Sequence, residues 1–166
     1  MNLMLKGVIV PIVTPFDAAG ALDTAAIRPL VDYLIAHGVA GLYPGGTTGE
    51  GFLLSLAERR ALAEADVAAA GGRVSVIVQS GCITTAETIA LTEHAQSIGA
   101  DGAAIIPPYV YHHTDTALLD HYAAVAQHVP DLPLLLYNFP AISNNTLTPA
   151  LVLALRERAS NIVGMK

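Results

Sequence analysis

Gly45-Gly46-Thr47-Thr48-Gly49-Glu50 is a glycine-rich segment between a short apolar run, residues 39–43, and the sequence Ser55-Leu56-Ala57-Glu58. The latter has the Ser-x-x-Glu spacing of a capping box, which opens a helix. The segment is therefore predicted to be a loop between a strand and a helix. Its three glycines allow a close approach of the backbone to a ligand, and its threonines add hydroxyl and N–H groups that suit a carboxylate or a phosphate.

Three other interpretations of this loop are possible. A tight strand-to-helix turn without chemistry would also use adjacent glycines. A dinucleotide site is disfavoured because the spacing is not Gly-x-Gly-x-x-Gly and no acidic residue ends a strand about 20 residues later. A Walker-type phosphate loop needs Lys followed by Ser or Thr after its last glycine, and Glu50 stands there instead.

Short aliphatic runs and helical segments alternate along the whole chain. The starts of the runs are about 30 residues apart, which is the length of one strand-plus-helix unit. The predicted strands are Val8–Val13, Gly41–Tyr43, Val74–Gln79, Ala103–Ile106, Leu134–Tyr137 and Ile162–Met165. Strict alternation with continuous apolar strands is typical of a parallel sheet.

Five helices are predicted from their start and stop signals. Pro29 is expected to kink the first helix or to delay its start. The signals are a cap at Asp23 with a stop at Gly38, capping boxes at Ser55/Glu58 and Thr84/Glu87 with stops at Gly71-Gly72 and Gly99, an apolar stripe at Leu118, Leu119, Tyr122 and Val125, and a start at Thr148-Pro149.

Two closures of such a sheet compete, an open doubly wound sheet and a (β/α)8 barrel. A barrel normally needs eight strands and roughly 250 residues. The 166 residues contain about six strands and five helices. We therefore expect residues 1–166 to be the N-terminal part of a single α/β (β/α)8 TIM-barrel domain, whose remaining strands and C-terminal helices are not in this sequence.

The composition excludes several classes of protein. Hydrophobic residues make up 53% and charged residues 13%, which fits strands buried on both faces. The net charge of −6 argues against a nucleic-acid-binding surface. No apolar run approaches the roughly 18 residues of a membrane span, and residues 1–13 are predicted to contain a first strand and no signal peptide. With Cys82 as the single cysteine, no internal disulfide can form, and a reducing, cytoplasmic location is expected.

Polar side chains follow each predicted strand where it ends. In parallel α/β folds the carboxyl ends of the strands form one face, and ligands bind there. These strand-end segments are Thr14-Pro15, Thr47-Thr48, Ser80-Gly81-Cys82, Pro107-Pro108-Tyr109 with Tyr111, Tyr137-Asn138 and Lys166.

Lys166 ends an apolar run, so we expect its amine to be enclosed, and burial lowers the pKa of a lysine. A neutral amine is a nucleophile that forms Schiff bases with carbonyl compounds. Taken singly, Lys166 could instead extend its amine into solvent, and Tyr137 could serve packing alone. Together, a buried amine, a phenol that relays protons and a Thr-Thr carboxylate site describe the chemistry of 2-oxo acids.

The sequence resembles the N-acetylneuraminate lyase/dihydrodipicolinate synthase family of pyruvate-dependent class I aldolases. The resemblance covers the whole chain and rests on the glycine-rich loop, on Tyr137-Asn138-Phe139-Pro140 and on Gly164-Met165-Lys166. It implies a TIM barrel with a C-terminal helical extension and a homotetramer built as a dimer of dimers.

The resemblance also implies roles for individual residues. Lys166 would be the Schiff-base lysine and Tyr137 the proton donor and acceptor. Thr47 and Thr48 would hold the pyruvate carboxylate, with Thr47 also contacting the Tyr137 hydroxyl. Gly46, Tyr109 and Tyr111 are further predicted substrate-binding residues.

Two departures from the family pattern bear on the substrate. Synthases that use aspartate semialdehyde carry an arginine shortly after the Tyr-Asn-x-Pro segment, and here the sequence is Ala141-Ile142-Ser143. This segment, Gly41-Leu42-Tyr43 and Ser80-Gly81-Cys82 look more like the lyase branch. At the position of the tyrosine that the family often lends across the dimer interface stands Val110, with Tyr109 and Tyr111 beside it.

The sequence thus predicts a Schiff-base lyase or aldolase acting on pyruvate and an aldehyde, closest to N-acetylneuraminate lyase, with no metal and no organic cofactor. The alternatives are dihydrodipicolinate synthase, an aldolase or dehydratase of 2-keto-3-deoxy sugar acids, and a non-catalytic pyruvate-binding protein. His112-His113 is interpreted as part of a polar loop because no further metal ligands accompany it at suitable spacing. Cys82 is interpreted as a packing residue, and Glu50 as a residue that holds the loop.

Overall fold

The computed structural model describes residues 5–166, which form one parallel sheet with helices packed against it. The first four residues of the apolar N-terminal segment lie outside this range. In chain order the elements are β1 (Ile9–Pro11), α1 (Thr24–Ala36), β2 (Gly41–Tyr43), α2 (Leu56–Ala70), β3 (Ser75–Gln79), α3 (Thr85–Ser97), β4 (Gly102–Ile105), α4 (Asp115–His128), β5 (Leu134–Leu136), α5 (Pro140–Ser143), α6 (Pro149–Arg158) and β6 (Ile162–Met165).

The strands lie in the sheet in the order in which they occur in the chain, β1-β2-β3-β4-β5-β6, and every neighbouring pair is parallel. An open doubly wound sheet reverses its strand order at a switch point, whereas a (β/α)8 barrel does not. The sequential order therefore selects the barrel arrangement and excludes the open sheet. Over residues 5–166 the sheet is open between β1 and β6, which do not pair with each other.

All six predicted strands are present: β1, β3 and β5 are shorter than predicted, β4 is shifted by one residue, and β2 and β6 have the predicted bounds. β1, for example, covers Ile9–Pro11 of the predicted Val8–Val13. Pro11, which has no N–H group for a sheet hydrogen bond, is the last residue of β1.

Side chains alternate along the strands between two apolar layers. Val76, Val78, Ala103 and Ile105 belong to the outer layer between sheet and helices. The neighbouring residues Ile77, Ala104 and Ile106 point to the inner, concave face, where they pack with Tyr43 and Tyr137. The central strands β2, β3 and β4 are buried on both faces and are apolar except at Ser75 and Gln79, as the composition indicated.

The helix starts follow their predicted caps. The Asp23 carboxylate accepts hydrogen bonds from the N–H groups of Ala25 and Ala26, so α1 begins at Thr24. Pro29 lies inside α1, and the predicted delay of the helix start is wrong because the Asp23 cap fixes the first turn before the proline. No helix in the described range is long and apolar enough to cross a membrane.

The two predicted capping boxes differ. At the start of α2, Ser55 Oγ accepts from the N–H of Glu58, and Glu58 Oε2 accepts from the N–H of Ser55, so the box is complete. At the start of α3, Thr84 Oγ1 accepts from the N–H of Glu87. There the Glu87 carboxylate accepts from the Thr84 hydroxyl instead of its N–H group, so this box is half formed.

The helix α5 is the one element that sequence analysis missed. It is a single turn that begins at Pro140, and Asn144 ends it in the left-handed conformation with φ of 57°. Four residues are too few to give a hydrophobic period, so no pattern marked it.

Two titratable side chains are buried in the helical layer without full hydrogen bonding among residues 5–166. Asp66 on α2 is 1% exposed, neither carboxylate oxygen has a partner, and burial raises its pKa to about 7. His121 on α4 is 5% exposed and contacts the Thr85 hydroxyl through Nδ1 at 2.9 Å, whereas Nε2 has no partner. Burial, with a smaller contribution from His113, lowers the pKa of His121 to about 4.

These two groups are expected to have opposite effects on stability between about pH 4 and pH 6.5. Folded Asp66 holds a proton that the unfolded chain has lost, so its contribution falls as the pH rises. Folded His121 lacks a proton that the unfolded chain holds, so its contribution falls as the pH drops. Each slope is about 1.4 kcal/mol per pH unit, and the two offset each other.

We predict that single substitutions reveal the pH dependence that each group gives to the unfolding free energy. Relative to wild type, the unfolding free energy of Asp66→Asn should rise with pH across this window, and that of His121→Asn should fall. Denaturant unfolding at three pH values measures both, with the exposed Asp131→Asn as the control that stays parallel to wild type. Parallel profiles for all variants would contradict the assignment of the two buried groups.

Candidate active site

Three predicted site residues meet at the carboxyl edge of the sheet. Thr47 follows β2, Tyr137 follows β5 and Lys166 follows β6. Thr47 Oγ1 lies 3.0 Å from Tyr137 Oη, a hydrogen bond in which either hydroxyl can donate. The Nζ atom of Lys166 lies 3.8 Å from the centroid of the Tyr137 ring. An amine, a phenol and an alcohol therefore share one small region.

The glycine-rich loop is folded against the end of β1. The Thr14 hydroxyl donates to the carbonyl oxygen of Gly49 at 2.5 Å. A Cβ atom on Gly49 would lie 2.8 Å from the carbonyl oxygen of Ile12, and one on Gly51 would overlap the carbonyl oxygen of Gly45. Only glycine fits at these two positions, so the loop has one compact conformation.

Thr47, Thr48 and Glu50 are exposed in this loop, whereas Gly45, Gly46 and Gly49 are buried. A Cβ atom on Gly46 would lie 2.5 Å from the Tyr43 ring, so Gly46 allows that ring to pack under the loop. The two threonines are thus available to a ligand at the mouth of the sheet, and Gly46 lies beneath them.

Lys166 is exposed at the end of β6, and residues 5–166 alone do not test the predicted enclosure of its amine. The reason is that β6 is an edge strand, with a neighbour on one side only. Its backbone is nevertheless fixed, because its N–H group donates to Leu136 O at 2.8 Å and its carbonyl accepts from Asn138 N at 3.0 Å.

The amine of Lys166 lines a groove on the concave face. The groove has a volume of about 420 Å³ and is mostly apolar. Its lining residues are Leu5, Ile9, Tyr43, Ile77, Leu135, Val163, Gly164, Met165 and Lys166.

Two tyrosine rings lie beside the Lys166 amine. Tyr43 and Tyr137 pack edge to face with centroids 5.9 Å apart, and the amine is 4.8 Å from the Tyr43 centroid. Such cation–ring contacts are attractive. Burial, and then the neighbouring Tyr137, raises the pKa of Tyr43 well above its usual value, so Tyr43 stays a neutral phenol. Among the described residues its hydroxyl has no hydrogen-bond partner.

Tyr109 and Tyr111 lie farther from this centre. Tyr109 is half-buried and packs edge to face on Phe52, with centroids 5.0 Å apart, and burial raises its pKa. Tyr111 is 69% exposed. Within residues 5–166 neither hydroxyl makes a hydrogen bond to Thr47 or Tyr137. Between the two tyrosines, Val110 has φ of 81°, a conformation that is costly for a β-branched residue.

Sequence analysis missed a buried arginine beneath the glycine-rich loop. Arg59 on α2 is 6% exposed and donates only to neutral groups: the backbone oxygens of Gly81 and Gln79, the Gln79 amide oxygen and the Cys82 sulfur, at 2.9 to 3.1 Å. Its position was readable, because residues 59, 62, 63, 66, 69 and 70 repeat at helical spacing and face the core.

Cys82 is 3% exposed, which agrees with a packing role, and burial raises the pKa of its thiol. His112 is exposed, and its Nδ1 contacts Asn144 O at 3.3 Å. Over the described range no group of three or more His, Cys, Asp or Glu side chains is placed to hold a metal ion. Glu50 is exposed and has φ of 53° at the turn that closes the glycine-rich loop.

Known proteins of several activities are similar to this chain. A 4-hydroxy-tetrahydrodipicolinate synthase of Brucella abortus biovar 1 (strain 9-941) is 41% identical over 98% of this chain and 55% of its own length. An N-acetylneuraminate lyase of Escherichia fergusonii is 40% identical over 89% of this chain and 50% of its own. Since the identities are nearly equal, they do not separate the synthase branch from the lyase branch.

A solved structure matches as well. YagE from Escherichia coli K12, crystallised in complex with pyruvate, is 41% identical, with a TM-score of 0.94 over 98% of this chain and 54% of YagE. YagE is named provisionally as a 2-dehydro-3-deoxy-D-gluconate aldolase. The chain spans about half the length of the relatives that it matches.

These neighbours are TIM-barrel proteins, so the predicted fold class is confirmed. The model of the dihydrodipicolinate synthetase family matches residues 4–166. The chain belongs to the dihydrodipicolinate synthetase family.

Proposed function

We propose that the protein is a class I lyase or aldolase that forms a Schiff base between Lys166 and pyruvate, and that it resembles N-acetylneuraminate lyase in its reaction. The observation that carries the proposal is the meeting of the Lys166 amine, the Tyr137 phenol and the Thr47 hydroxyl within hydrogen-bond and ring-contact distance. Family membership and the pyruvate complex of YagE support the same chemistry.

In the proposed reaction the Lys166 amine attacks the keto carbon of the 2-oxo acid. Tyr137 transfers protons as the carbinolamine loses water to give the imine. The protonated imine accepts the electron pair of the breaking carbon–carbon bond, and the aldehyde leaves. Protonation of the resulting enamine and hydrolysis release pyruvate and the free amine. The imine supplies the electron sink, so the proposal includes no metal or organic cofactor.

The two threonines would bind the carboxylate common to 2-oxo acids. Both are exposed at the mouth of the sheet, and the tight loop fixes their backbone. Thr47 would have a second role, since its hydroxyl is 3.0 Å from the Tyr137 hydroxyl and can orient that proton.

For the aldehyde that is joined to or released from pyruvate, we prefer a substrate of the lyase branch to the substrate of the synthase. The residues that follow Tyr137 form α5, where the exposed apolar side chain of Ile142 is found and no arginine is present to bind a second carboxylate. A sugar-acid aldolase or dehydratase remains an alternative that the same centre would serve. A dimer-of-dimers tetramer is also part of the proposal.

A borohydride experiment tests Schiff-base formation. Full-length protein treated with pyruvate and borohydride should carry a reduced adduct on Lys166, detected by peptide mass spectrometry. Lys6 is the only other lysine in this sequence, which makes Lys6→Ala the matched control that keeps the adduct. An unmodified Lys166 would contradict the proposal and favour a pyruvate-binding protein. Where the adduct forms, turnover on a panel of aldehydes and sugar acids separates lyase, synthase and dehydratase.

Tyr137→Phe should lower turnover by roughly 10²–10⁴-fold, the range of a general acid–base group, without loss of folding. Tyr43→Phe is the matched control: it removes a neighbouring hydroxyl that has no partner in the described chain. Removing an unsatisfied buried hydroxyl should raise the unfolding free energy by about 1–3 kcal/mol and leave turnover close to wild type. Equal turnover for both variants would mean that another group carries the proton.

Thr48→Val should weaken pyruvate binding by roughly 10–150-fold, because a hydrogen bond to a charged group contributes about 1.5–3 kcal/mol. Thr47→Val should weaken binding similarly and also lower turnover, because the partner of the Tyr137 hydroxyl is lost. Michaelis constants and turnover numbers measure the difference, with melting temperatures as a check on folding. If both variants keep wild-type kinetics, the loop is a turn and not a carboxylate site.

A further inference from the structure

Asn145 is a buried side chain that joins two loops at the carboxyl edge of the sheet. It is 2% exposed and follows α5. Its Nδ2 group donates to the carbonyl oxygens of Pro108 at 2.9 Å, Tyr111 at 2.9 Å and Ser143 at 2.7 Å. Its Oδ1 atom accepts from the N–H group of His113 at 2.8 Å. Three of these four bonds reach the loop between β4 and α4, at least 32 residues away in the sequence.

Asn145 is itself held to the segment that follows Tyr137. The Ser143 hydroxyl is fully buried and lies 3.1 Å from Phe139 O and 2.9 Å from Asn145 O. The Asn145 amide is therefore fixed relative to the end of β5, which is followed by the proposed proton-transfer residue. Its hydrogen bonds in turn fix the position of the β4–α4 loop.

The β4–α4 loop has few other polar restraints. In the part of the chain that the structure describes, residues 107–113 make no backbone-to-backbone hydrogen bond. The strained conformation of Val110 lies inside this loop. Residues in such conformations persist only where surrounding contacts hold them. Before Val110 in the sequence, the Tyr109 ring packs against Phe52. After Val110, the carbonyl oxygen of Tyr111 accepts a hydrogen bond from the Asn145 amide.

We infer that Asn145 is a positioning residue. It holds the loop of Tyr109 and Tyr111 at the mouth of the site, at a fixed position relative to Tyr137. This inference rests on the proposed function, in which both tyrosines bind the substrate. Asn145 acts through the loop and does not touch the reacting atoms.

The chain provides a matched control at the opposite end of the sheet. Asn161, just before β6, donates through Nδ2 to the carbonyl oxygens of Ala126, Val129 and Leu132 at 3.3, 2.8 and 3.2 Å. It has the same side chain and the same number of acceptors as Asn145, but it braces the loop that enters β5. A purely structural role for either residue would change stability alone.

The test compares Asn145→Ala with Asn161→Ala in the full-length protein. We expect Asn145→Ala to raise the pyruvate concentration that half-saturates borohydride trapping on Lys166 by roughly ten- to a hundredfold, because small displacements of binding groups are costly. The amide of His113 should lose its protection from hydrogen exchange in the same variant. Asn161→Ala should lower the melting temperature and leave both readouts at wild-type values.

The outcomes separate this inference from the proposed function. Absence of a Lys166 adduct in the wild-type protein would overturn the proposed function, and the role of Asn145 with it. A wild-type adduct together with unchanged half-saturation in Asn145→Ala would overturn the role of Asn145 alone. If Asn145→Ala does not fold, Asn145→Ser keeps one donor, and it should give a smaller shift in the same direction.

Discussion

Parallel pairing between consecutive strands is the constraint on which the arrangement of this molecule depends. It places all six carboxyl ends along one edge, so residues that are far apart in sequence become neighbours. The hydrogen bond between Thr47 and Tyr137 joins positions 90 residues apart. The Lys166 amine reaches the same ring only because β6 pairs with β5 in register at Leu136. A different strand order would separate these groups.

The side chains that brace this edge use backbone carbonyls as partners more than they use charges. The two terminal guanidinium nitrogens of Arg59 donate to neutral oxygens and a sulfur, while its Nε has no partner among the described residues, and Asn145 donates its amide to carbonyl oxygens. Removing one partner from such a buried set leaves several groups unsatisfied, which costs more than a single hydrogen bond contributes. The edge is therefore braced where Arg59 and Asn145 hold it, whereas the Tyr111 side chain extends from it into solvent.

How much could be predicted from the sequence depended on whether the signal was local. Caps at Asp23 and Ser55 act through the next three residues, and the structure has both. Strand periodicity located all six strands, and the family motifs identified residues that the structure brings together. The role of Asn145 was not predictable, because three of its four hydrogen bonds reach residues more than 30 positions away and no spacing rule connects them. The burial of Lys166 stays a prediction, because it depends on a neighbouring strand that residues 5–166 do not supply.

The close packing of the glycine-rich loop limits where this site can change. A side chain at Gly49 or Gly51 would collide with backbone oxygens, and one at Gly46 would collide with the Tyr43 ring. The exposed positions of the loop are Thr47, Thr48 and Glu50, and these are the places where its side chains can vary while the backbone stays in place. Among the described residues, the exposed side chains of Tyr111 and Ile142 offer further positions for such changes. The fold therefore separates a fixed part of the site from an adaptable part.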